Sequence, residues 1–389
     1  MTQDIFSLSY SAVHPGTDKT QVFFHDFDSE ANPRDIFLPG RSGTGRCFVT
    51  DITVATLPFM QDFLRDFDID DCNDIEVNRS YQVGSDTLVC LGAGEVFKTI
   101  DSVLKIVATA LDAGLQRTGL FVGIGGGVIC DMTAFAASIF KRGAQLELVP
   151  TTLLSMVDAS VGGKTGCDFD SYKNMIGTFY PASKIHIFRA FIQSLPESEY
   201  NSGLAETLKT ALLYAPKLFY ILQNQYEEIE NRDKDIVGQL IRRCIIAKAN
   251  IVEKDLTETG LRMQLNFGHT FGHALETCAG LGKITHGAAI AWGMGRALEL
   301  SVLLGHCEPE YRNEVQEVLT KYGWETKAYH PALESAGISP QAAPEKLLAA
   351  MKKDKKNASS KIRCILQREI NSTLVEEVPE DMLIKVLLD

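Results

Sequence analysis

The sequence predicts an α/β protein, with a doubly wound, mainly parallel sheet in the first half of the chain and a mostly helical second half. Short apolar runs alternate with amphipathic stretches up to about residue 195, and this alternation is typical of βαβ units with right-handed crossovers. From about residue 196 the segments become long and helix-periodic. We therefore expect a first domain over residues 1–195 and a second domain over residues 196–389.

Apolar runs and helical periodicity define the elements within these domains. Short buried runs predict strands, whereas a 3.6-residue period predicts a helix. The predicted strands are 46–50, 87–90, 120–123 and 146–149. The predicted helices are 98–113, 202–214, 235–255, 272–278 and 286–304. Residues 1–45 precede this pattern, and we expect this N-terminal extension to form edge strands of the sheet.

The composition limits the class of protein. The chain has 389 residues and a formal net charge of −12, from 38 Lys and Arg against 50 Asp and Glu. A field of this sign repels nucleic acid and anionic lipid, so an anionic substrate would need a local concentration of basic residues. Nine scattered cysteines without a C-x-x-C pair predict free thiols in a reducing compartment. No signal-peptide pattern or membrane-length apolar run is visible, so we expect a cytoplasmic protein.

A glycine-rich turn follows the strand predicted at 120–123. Residues 123–131 read GIGGGVICD and lead into a helix-periodic stretch. Consecutive glycines let the backbone turn tightly and approach a ligand, and the following helix N-terminus offers free N–H groups to a pyrophosphate. The spacing differs from the G-x-G-x-x-G fingerprint. From this motif alone, a phosphate cradle and a strand-to-helix turn without a ligand both stay open.

A second glycine-rich segment, residues 150–166, reads PTTLLSMVDASVGGKTG. Thr151 and Thr152 follow the strand predicted at 146–149, at the carboxyl edge where open α/β sheets bind ligands. The charged and amide side chains in and just after this segment are Asp158, Lys164, Lys173 and Asn174. Several such groups in a glycine-rich context favour a ligand site over a solvated surface.

Histidines gather in the second half of the chain. Residues 266–276 read NFGHTFGHALE, which places His269 and His273 four positions apart on one helical face. His286 begins the next helical stretch, and Glu206 in GLAETLK offers a carboxylate. Two imidazoles, one carboxylate and an open position are typical of catalytic zinc. A helix with satisfied core histidines explains these residues equally well when they are taken alone.

Taken together, these motifs resemble the 3-dehydroquinate synthase family of the sugar phosphate cyclase superfamily. From about residue 45 onwards the resembling segments follow the family order: GAGEVFK, GGGVICD, FKRG, PTTLLSMVDASVGGKTG, YKNMIG, GLAETLK, ETGLRMQLNFGHTFGHALE, HGAA and DKKN. The resemblance implies a Rossmann-like NAD-binding domain followed by a helical metal-binding domain. The implied cofactors are NAD and a divalent metal, zinc or else cobalt.

The resemblance also implies roles for individual residues. The implied metal ligands are Glu206, His269 and His286. The implied NAD contacts are Asp51, Glu95, Lys98, Gly126, Gly127, Val128, Asp131, Thr151, Thr152, Lys164, Lys173, Phe191 and Ser194. The implied catalytic residues are His273, Lys164, Lys209, Asp158 and Asn174. The implied substrate contacts are Arg142, Lys173, Lys248, Arg262, Asn266 and one lysine of the pair Lys355 and Lys356.

The family reaction is part of the shikimate pathway of aromatic amino acid biosynthesis. It converts 3-deoxy-D-arabino-heptulosonate 7-phosphate into 3-dehydroquinate and phosphate, which makes the enzyme a carbon–oxygen lyase. It combines transient oxidation by NAD, phosphate elimination, re-reduction and an intramolecular aldol closure. The resemblance further implies that Arg142 reaches the phosphate in a neighbouring subunit, and hence that the protein is a homodimer.

Two other functions stay open at this stage. The family usually has HGEA where this chain has Ala288 in HGAA, and Cys130 replaces a usual glycine. A cyclase acting on sedoheptulose 7-phosphate, of the valiolone or gadusol type, is the first alternative. A metal-dependent polyol dehydrogenase of the related fold is the second. Lys248, Arg262 and Asn266 favour a substrate with a carboxylate, because a guanidinium can bind one through two parallel hydrogen bonds.

Overall fold

Strands and helices alternate through the first half of the chain in the computed structural model, which describes residues 4–10, 17–25, 33–40, 43–170, 172–280, 282–354 and 361–388. The strands are β1 Asp4–Ser9, β2 Lys19–Phe24, β3 Arg46–Asp51, β4 Ser80–Val83, β5 Asp86–Leu91, β6 Leu120–Gly125, β7 Gln145–Pro150, β8 Lys164–Phe169, β9 Tyr172–Phe179, β10 Lys184–Ile187, β11 Ile362–Glu369 and β12 Ser372–Val378. The helices are α1 Arg34–Phe37, α2 Ile52–Ala55, α3 Gln61–Arg65, α4 Ile100–Asp112, α5 Gly127–Ile139, α6 Ala190–Gln193, α7 Glu197–Tyr214, α8 Pro216–Asn224, α9 Tyr226–Glu230, α10 Lys234–Val252, α11 His269–Ala279, α12 His286–Leu303, α13 Pro309–Lys321, α14 Pro331–Ser335, α15 Ala343–Asp354 and α16 Glu380–Leu388.

An eight-stranded sheet runs in the order β1-β2-β10-β7-β6-β3-β5-β4. The six inner strands pair in parallel, whereas β1 and β4 at the two edges pair antiparallel. The predicted parallel α/β sheet is thereby confirmed, and β3, β5, β6 and β7 coincide with the four predicted strands. From the N-terminal extension, β1 lies at the edge, but β2 lies one position inside the sheet.

Burial explains why these strands read as nearly continuous apolar runs. Every residue of β3 and of β5 is buried, which is typical of parallel strands covered on both faces. Helix α4 begins after Thr99, whose side chain accepts a hydrogen bond from the N–H of Ser102 at 3.2 Å. This N-cap sets the start of α4 two residues later than the helix predicted from position 98.

The chain divides into two compact units. The first comprises Met1–Pro196 and Lys248–Thr257, and the second comprises Glu197–Ala247 and Glu258–Asp389. The division based on sequence did not anticipate that residues 248–257, which include the end of α10, group with the first unit. Sequence periodicity reports helices, but it does not report which core a helix end packs into.

The second unit is mainly helical, as predicted, but it also contains the hairpin β11–β12. Strand β11 is buried at positions 362, 364, 365, 366 and 367, and Asn371 in the turn has a positive φ of 63° and donates its N–H to the carbonyl of Leu212 at 2.8 Å. No helix among the described residues is long and apolar enough to cross a membrane. The nine cysteines are free thiols, as predicted.

Candidate cofactor and metal sites

The glycine-rich turn lies at the carboxyl edge of the sheet in the first unit. Strand β6 ends at Gly125 and α5 begins at Gly127. Thr151, the first residue after β7, donates its N–H to the carbonyl of Gly125 at 2.9 Å. The turn and the threonine pair therefore lie side by side.

Close packing leaves little room for side chains at this turn. A Cβ atom on Gly126 would lie 3.1 Å from the methyl group of Thr152, and one on Gly127 would lie 3.4 Å from Cβ of Ala159. No side chain caps the N-terminus of α5. A pyrophosphate fits this arrangement, because it is an anion that needs backbone donors and little space. Val128 lies in the first turn of the same helix.

Other predicted cofactor contacts also have structural roles in the first unit. Asp51, at the end of β3, caps α2 by accepting the N–H of Val54 at 3.0 Å, and burial raises the pKa of its carboxyl. Phe191 is buried and packs edge-to-face on Phe59 with 4.9 Å between ring centroids. Ser194 donates its hydroxyl to the carbonyl of Phe191 at 2.8 Å.

Lys98 connects three predicted site residues. Its Nζ lies 2.7 Å from Oδ2 of Asp131 and 2.6 Å from Oδ1 of Asn174. Burial opposes the charge on Lys98, but Asp131 and Glu95 outweigh this effect and raise its pKa. Asn174 has a positive φ of 53°, and its N–H donates to Oδ1 of Asp168 at 2.8 Å. The sequence analysis missed Asp168, because no local pattern separates this carboxylate from other acidic residues of the hairpin β8–β9.

The three other lysines of the first unit that the sequence analysis assigns to the site lie beside carboxylates or at the surface. Nζ of Lys248 lies 2.7 Å from Oδ1 of Asp158, and Nζ of Lys173 lies 3.6 Å from Oε1 of Glu95. Lys164 is exposed at the start of β8. These three lysines supply positive charge of the kind that an anionic substrate requires.

Arg142 occupies a strained turn after α5. It is exposed and has a φ of 66°, directly after Lys141 with a φ of 46°. Two consecutive non-glycine residues with positive φ are uncommon. The turn places Arg142 at the end of the short helical segment Phe140–Arg142, at the surface of the first unit.

A carboxylate and two imidazoles meet in the second unit. Glu206 lies on α7, His269 is the first residue of α11 and His286 is the first residue of α12. Nε2 of His286 lies 3.3 Å from Oε1 of Glu206, and Nε2 of His269 lies 4.0 Å from the same oxygen. Potential ligand atoms of the three residues all lie within 4.8 Å of one another. The structure thus brings together the three residues that the sequence analysis groups as metal ligands.

The electrostatics of this cluster distinguish its two imidazoles. Glu206 is fully buried and also pairs with Lys209, one turn later on α7. Burial, with help from the charge of Lys209, lowers the pKa of His269 well below its usual value. Burial also opposes the charge on His286, but hydrogen bonds and charges of Glu206 and Glu276 outweigh it and raise the pKa of His286 to about 9.

The donor set fits a divalent transition metal. Nδ1 of His269 faces the carbonyl of Phe267 at 3.2 Å, which leaves Nε2 directed towards Glu206. Two imidazole nitrogens and one carboxylate oxygen are the ligands of many catalytic zinc sites, in which a fourth position is open to water or substrate. Such a cation would also neutralise the buried carboxylate of Glu206.

His273 adjoins the cluster, and Glu276 is a residue that the sequence analysis missed. The ring of His273 lies 5.1 Å from that of His269, centroid to centroid. Glu276 is buried, and its Oε1 lies 3.5 Å from Nδ1 of His286. Its position three residues after His273 on the same helix was the available signal.

Arg262 and Asn266 share the short helical segment Leu261–Asn266. Arg262 is buried, and Nδ2 of Asn266 donates to Oε1 of Glu258 at 2.5 Å. The sequence analysis also missed Glu258. The predicted substrate contact Lys355, with its neighbour Lys356, lies outside the described residues.

Comparisons with known proteins agree with this arrangement of motifs. The family model "3-dehydroquinate synthase N-terminal" matches residues 88–202, and the model "3-dehydroquinate synthase C-terminal" matches residues 203–357. The 3-dehydroquinate synthase of Dictyoglomus thermophilum is 38% identical over 307 residues, which are 79% of this chain and 83% of that protein.

Two solved structures share the fold. A 2-epi-5-epi-valiolone synthase from Streptomyces hygroscopicus subsp. jinggangensis, with NAD+ and Zn2+ bound, is 26% identical, and the match covers 97% of this chain and 98% of that chain with a TM-score of 0.78. A 2-deoxy-scyllo-inosose synthase complexed with carbaglucose-6-phosphate, NAD+ and Co2+ is 20% identical, with 99% of each chain covered and a TM-score of 0.74.

Proposed function

Because the chain belongs to the 3-dehydroquinate synthase family of sugar phosphate cyclases, we propose that it converts 3-deoxy-D-arabino-heptulosonate 7-phosphate into 3-dehydroquinate and phosphate. The observation that carries the proposal is the meeting of Glu206, His269 and His286 in the helical unit, with their ligand atoms within 4.8 Å. The reaction class is a carbon–oxygen lyase, since phosphate leaves by elimination.

The proposal requires two cofactors. Glu206, His269 and His286 would hold a divalent cation, and the turn at 125–127 with the threonine pair after β7 would hold NAD. When bound, the cation stabilises negative charge on substrate oxygens, and NAD accepts a hydride and returns it. Zinc and cobalt both accept imidazole and carboxylate ligands.

His273 is the proposed group for proton transfer at a substrate hydroxyl. An imidazole can donate and accept a proton near neutral pH, and the ring of His273 lies 5.1 Å from the proposed ligand His269. Asp158 and Asn174, each beside a buried lysine, would orient substrate hydroxyl groups. A hydroxyl can donate to one oxygen and accept from a neighbouring N–H.

Basic residues would bind the phosphate. Lys164, Lys173 and Lys209 are the candidates within one chain, and they would stabilise the departing dianion through charge-assisted hydrogen bonds. Arg142 would supply a guanidinium to the substrate of a neighbouring subunit, so the proposal includes a homodimer. Light scattering on the purified protein measures this oligomeric state.

Arg262 is the proposed specificity residue, together with Asn266 and Lys248. A guanidinium can hold a carboxylate through two parallel hydrogen bonds, which a neutral ketose cannot reproduce. Arg262 is 1% exposed, and a buried guanidinium is stabilised by anionic partners. A substrate with a carboxylate group fits this position better than a ketose without one.

A second candidate is the conversion of sedoheptulose 7-phosphate. The similarity to a solved 2-epi-5-epi-valiolone synthase, with a TM-score of 0.78, favours keeping this candidate.

One assay separates these functions. Purified protein is supplied with NAD, Zn2+ and either 3-deoxy-D-arabino-heptulosonate 7-phosphate or sedoheptulose 7-phosphate, and inorganic phosphate and NADH are measured together. We expect phosphate release from the heptulosonate without net NADH. Phosphate release from sedoheptulose 7-phosphate, and none from the heptulosonate, would support the second candidate. Steady NADH accumulation with a polyol would instead indicate a dehydrogenase. Glu206→Ala is the control for activity that does not depend on the metal site.

A further inference from the structure

We propose that Glu276 is a positioning residue that fixes the ring of His286 for metal binding, an inference that rests on the proposed function. Glu276 is buried, with 6% of its surface exposed. Its Oε1 lies 3.5 Å from Nδ1 of His286, whereas Nε2 of the same ring lies 3.3 Å from Oε1 of Glu206. The two ring nitrogens therefore face two different carboxylates.

This contact keeps a hydrogen on Nδ1 of His286 when Nε2 binds a cation. An ionised carboxylate only accepts hydrogen bonds, so Glu206 and Glu276 each favour a hydrogen on the ring nitrogen that faces them. A cation in the site would take the place of the hydrogen on Nε2, and Glu276 would hold the hydrogen on Nδ1. A carboxylate in this position also holds the plane of a ligating imidazole and increases its basicity. His269 shows the same arrangement, with the carbonyl of Phe267 as the acceptor at 3.2 Å.

The backbone of Gly287, the residue after His286, is held separately from the His286 ring. The N–H of Gly287 donates to Oγ of Ser202 at 2.9 Å, and a Cβ atom on Gly287 would collide with the Ser202 backbone. Ser202 lies one turn before Glu206 on α7. This contact fixes the start of α12 beside the helix that carries the proposed carboxylate ligand. It does not fix the side-chain torsion angles of His286. Glu276 restrains these angles through its contact with Nδ1, the ring nitrogen that faces away from Glu206.

The spacing along α11 places three functions on one helical face. His269 begins the helix, His273 follows after four residues and Glu276 after three more, so their side chains share a face. Ala288, in the first turn of α12, has only a methyl group and offers no acceptor to His286. Within the described residues, Glu276 is the carboxylate that faces Nδ1 of this ring.

Glu276 also belongs to a second group whose ligand atoms lie within 4.8 Å of one another, namely His273, Glu276 and His286. If this group held a cation of its own, Glu276 would be a metal ligand, and His286 would bind one ion through each nitrogen. Such a bridge requires the ring to lose its last N–H. The contact of Nδ1 with a carboxylate favours the positioning role, and metal stoichiometry separates the two roles.

The test compares zinc affinity in Glu276→Ala and Glu276→Gln. Apo protein is titrated with Zn2+ against a chromophoric chelator. We expect the dissociation constant to rise about 10- to 100-fold in Glu276→Ala, and less in Glu276→Gln, whose amide oxygen still accepts without a charge. Glu299→Gln is the matched control, because Glu299 is a partly buried carboxylate on the same helix as His286 and pairs with Arg312. We expect wild-type affinity in this control.

A second readout reports the Nδ1 hydrogen bond directly. In 15N-histidine spectra of the zinc-loaded protein, we expect Nδ1 of His286 to carry a hydrogen bonded to Glu276 in the wild type. In Glu276→Ala we expect the Nδ1 signal to move towards that of a ring without a carboxylate acceptor. A purely structural role of Glu276 would leave this signal unchanged.

Three results would overturn the inference. Wild-type zinc affinity in both folded variants would show that Glu276 does not act on the site. Two zinc ions per wild-type chain, one of them lost in Glu276→Ala, would make Glu276 a ligand. A wild-type chain that binds no zinc would remove the proposed metal site itself, and this failure is seen before any variant is made. If Glu276→Ala does not fold, Glu276→Gln, which has nearly the same volume, decides the question.

Discussion

The two candidate sites hold their polar groups in different ways. At the carboxyl edge of the sheet, the turn after β6 and the start of α5 present backbone groups, and the nearby lysines lie beside carboxylates. In the helical unit, side chains from α7, α11 and α12 converge on one buried carboxylate. The first site therefore depends on the absence of side-chain atoms, and the second depends on their presence. Substitutions should affect the two sites in correspondingly different ways.

Removing a ligand from the histidine cluster is expected to have the largest effect. His269→Ala should lose most of its bound zinc, because two ligands hold the ion much more weakly than three. Turnover should fall by on the order of 10³-fold, which corresponds to the several kcal/mol of charge stabilisation that a metal supplies. Metal analysis and the phosphate-release assay measure both quantities. His306→Ala is the control, since that imidazole pairs with Glu376 on the hairpin instead. Normal metal content in His269→Ala would remove His269 from the ligand set.

Breaking the ion pair between Lys98 and Asp131 tests how much it stabilises the edge of the sheet. Asp131→Asn leaves the buried ammonium of Lys98 without its closest carboxylate, 2.7 Å away in the wild type. The free energy of unfolding should fall by roughly 3 kcal/mol, because a buried charge that loses its closest partner is costly. Urea denaturation measures this change. The double variant Lys98→Met/Asp131→Asn removes both charges and should recover part of the loss, whereas an equal or larger loss would show that the pair is not the cause.

The buried pair His25 and His186 in the first unit extends the comparison with the histidine cluster, because these two imidazoles are not arranged as a metal site. Nε2 of His25 lies 3.1 Å from Nδ1 of His186, whose Nε2 lies 3.1 Å from Oε2 of Glu147. Burial, with the charge of His186, lowers the pKa of His25 to about 4, and Asp35 opposes this shift only partly.

The pH dependence of stability follows from the sign of this shift. Between pH 6.5 and pH 4 the unfolded chain binds a proton at His25 that the folded chain does not bind. The free energy of unfolding should therefore fall as the pH falls through this window, by up to about 3 kcal/mol from this group. Urea titrations at several pH values measure the slope. His25→Phe should have a shallower slope over the same window, and an unchanged slope would assign the dependence to other groups.

Adding one carbon atom to the glycine turn is expected to have the smallest effect. Gly126→Ala places a methyl group 3.1 Å from the Thr152 methyl, inside the proposed pyrophosphate cradle. The dissociation constant for NAD should rise about tenfold, or about 1.4 kcal/mol, with little change in thermal stability. Gly43→Ala is the matched control, since a Cβ atom there has no neighbour within 4 Å. Wild-type NAD affinity in Gly126→Ala would separate the turn from cofactor binding.

Much of the first unit could be predicted from local sequence. Buried parallel strands read as apolar runs, and the four strands expected from those runs are present as β3, β5, β6 and β7. The position of β2 inside the sheet was not predictable, because pairing with β10 joins segments that are far apart in the sequence. The hairpin β11–β12 was missed for a similar reason, since its burial depends on helices that precede it in the chain.

The residues of the helical site also divide into those that local sequence predicts and those that depend on contacts between distant segments. Helical spacing alone placed His269 and His273 on one face, and this relationship is local. The roles of Glu276 and Glu258 depended on which atoms face them across the fold, and no local pattern reports that.

By itself, the sequence determined the alternation of strands and helices, the tight turn at the sheet edge and the residue types that can bind a metal, because each of these is encoded in short segments of the chain. The tertiary structure decided which groups meet. Helix packing brought the carboxylate of Glu206 between two imidazoles, and the hairpin β8–β9 brought Asn174 to Lys98. Distances of this kind depend on the packing of whole elements, which the local periodicity of a sequence does not specify.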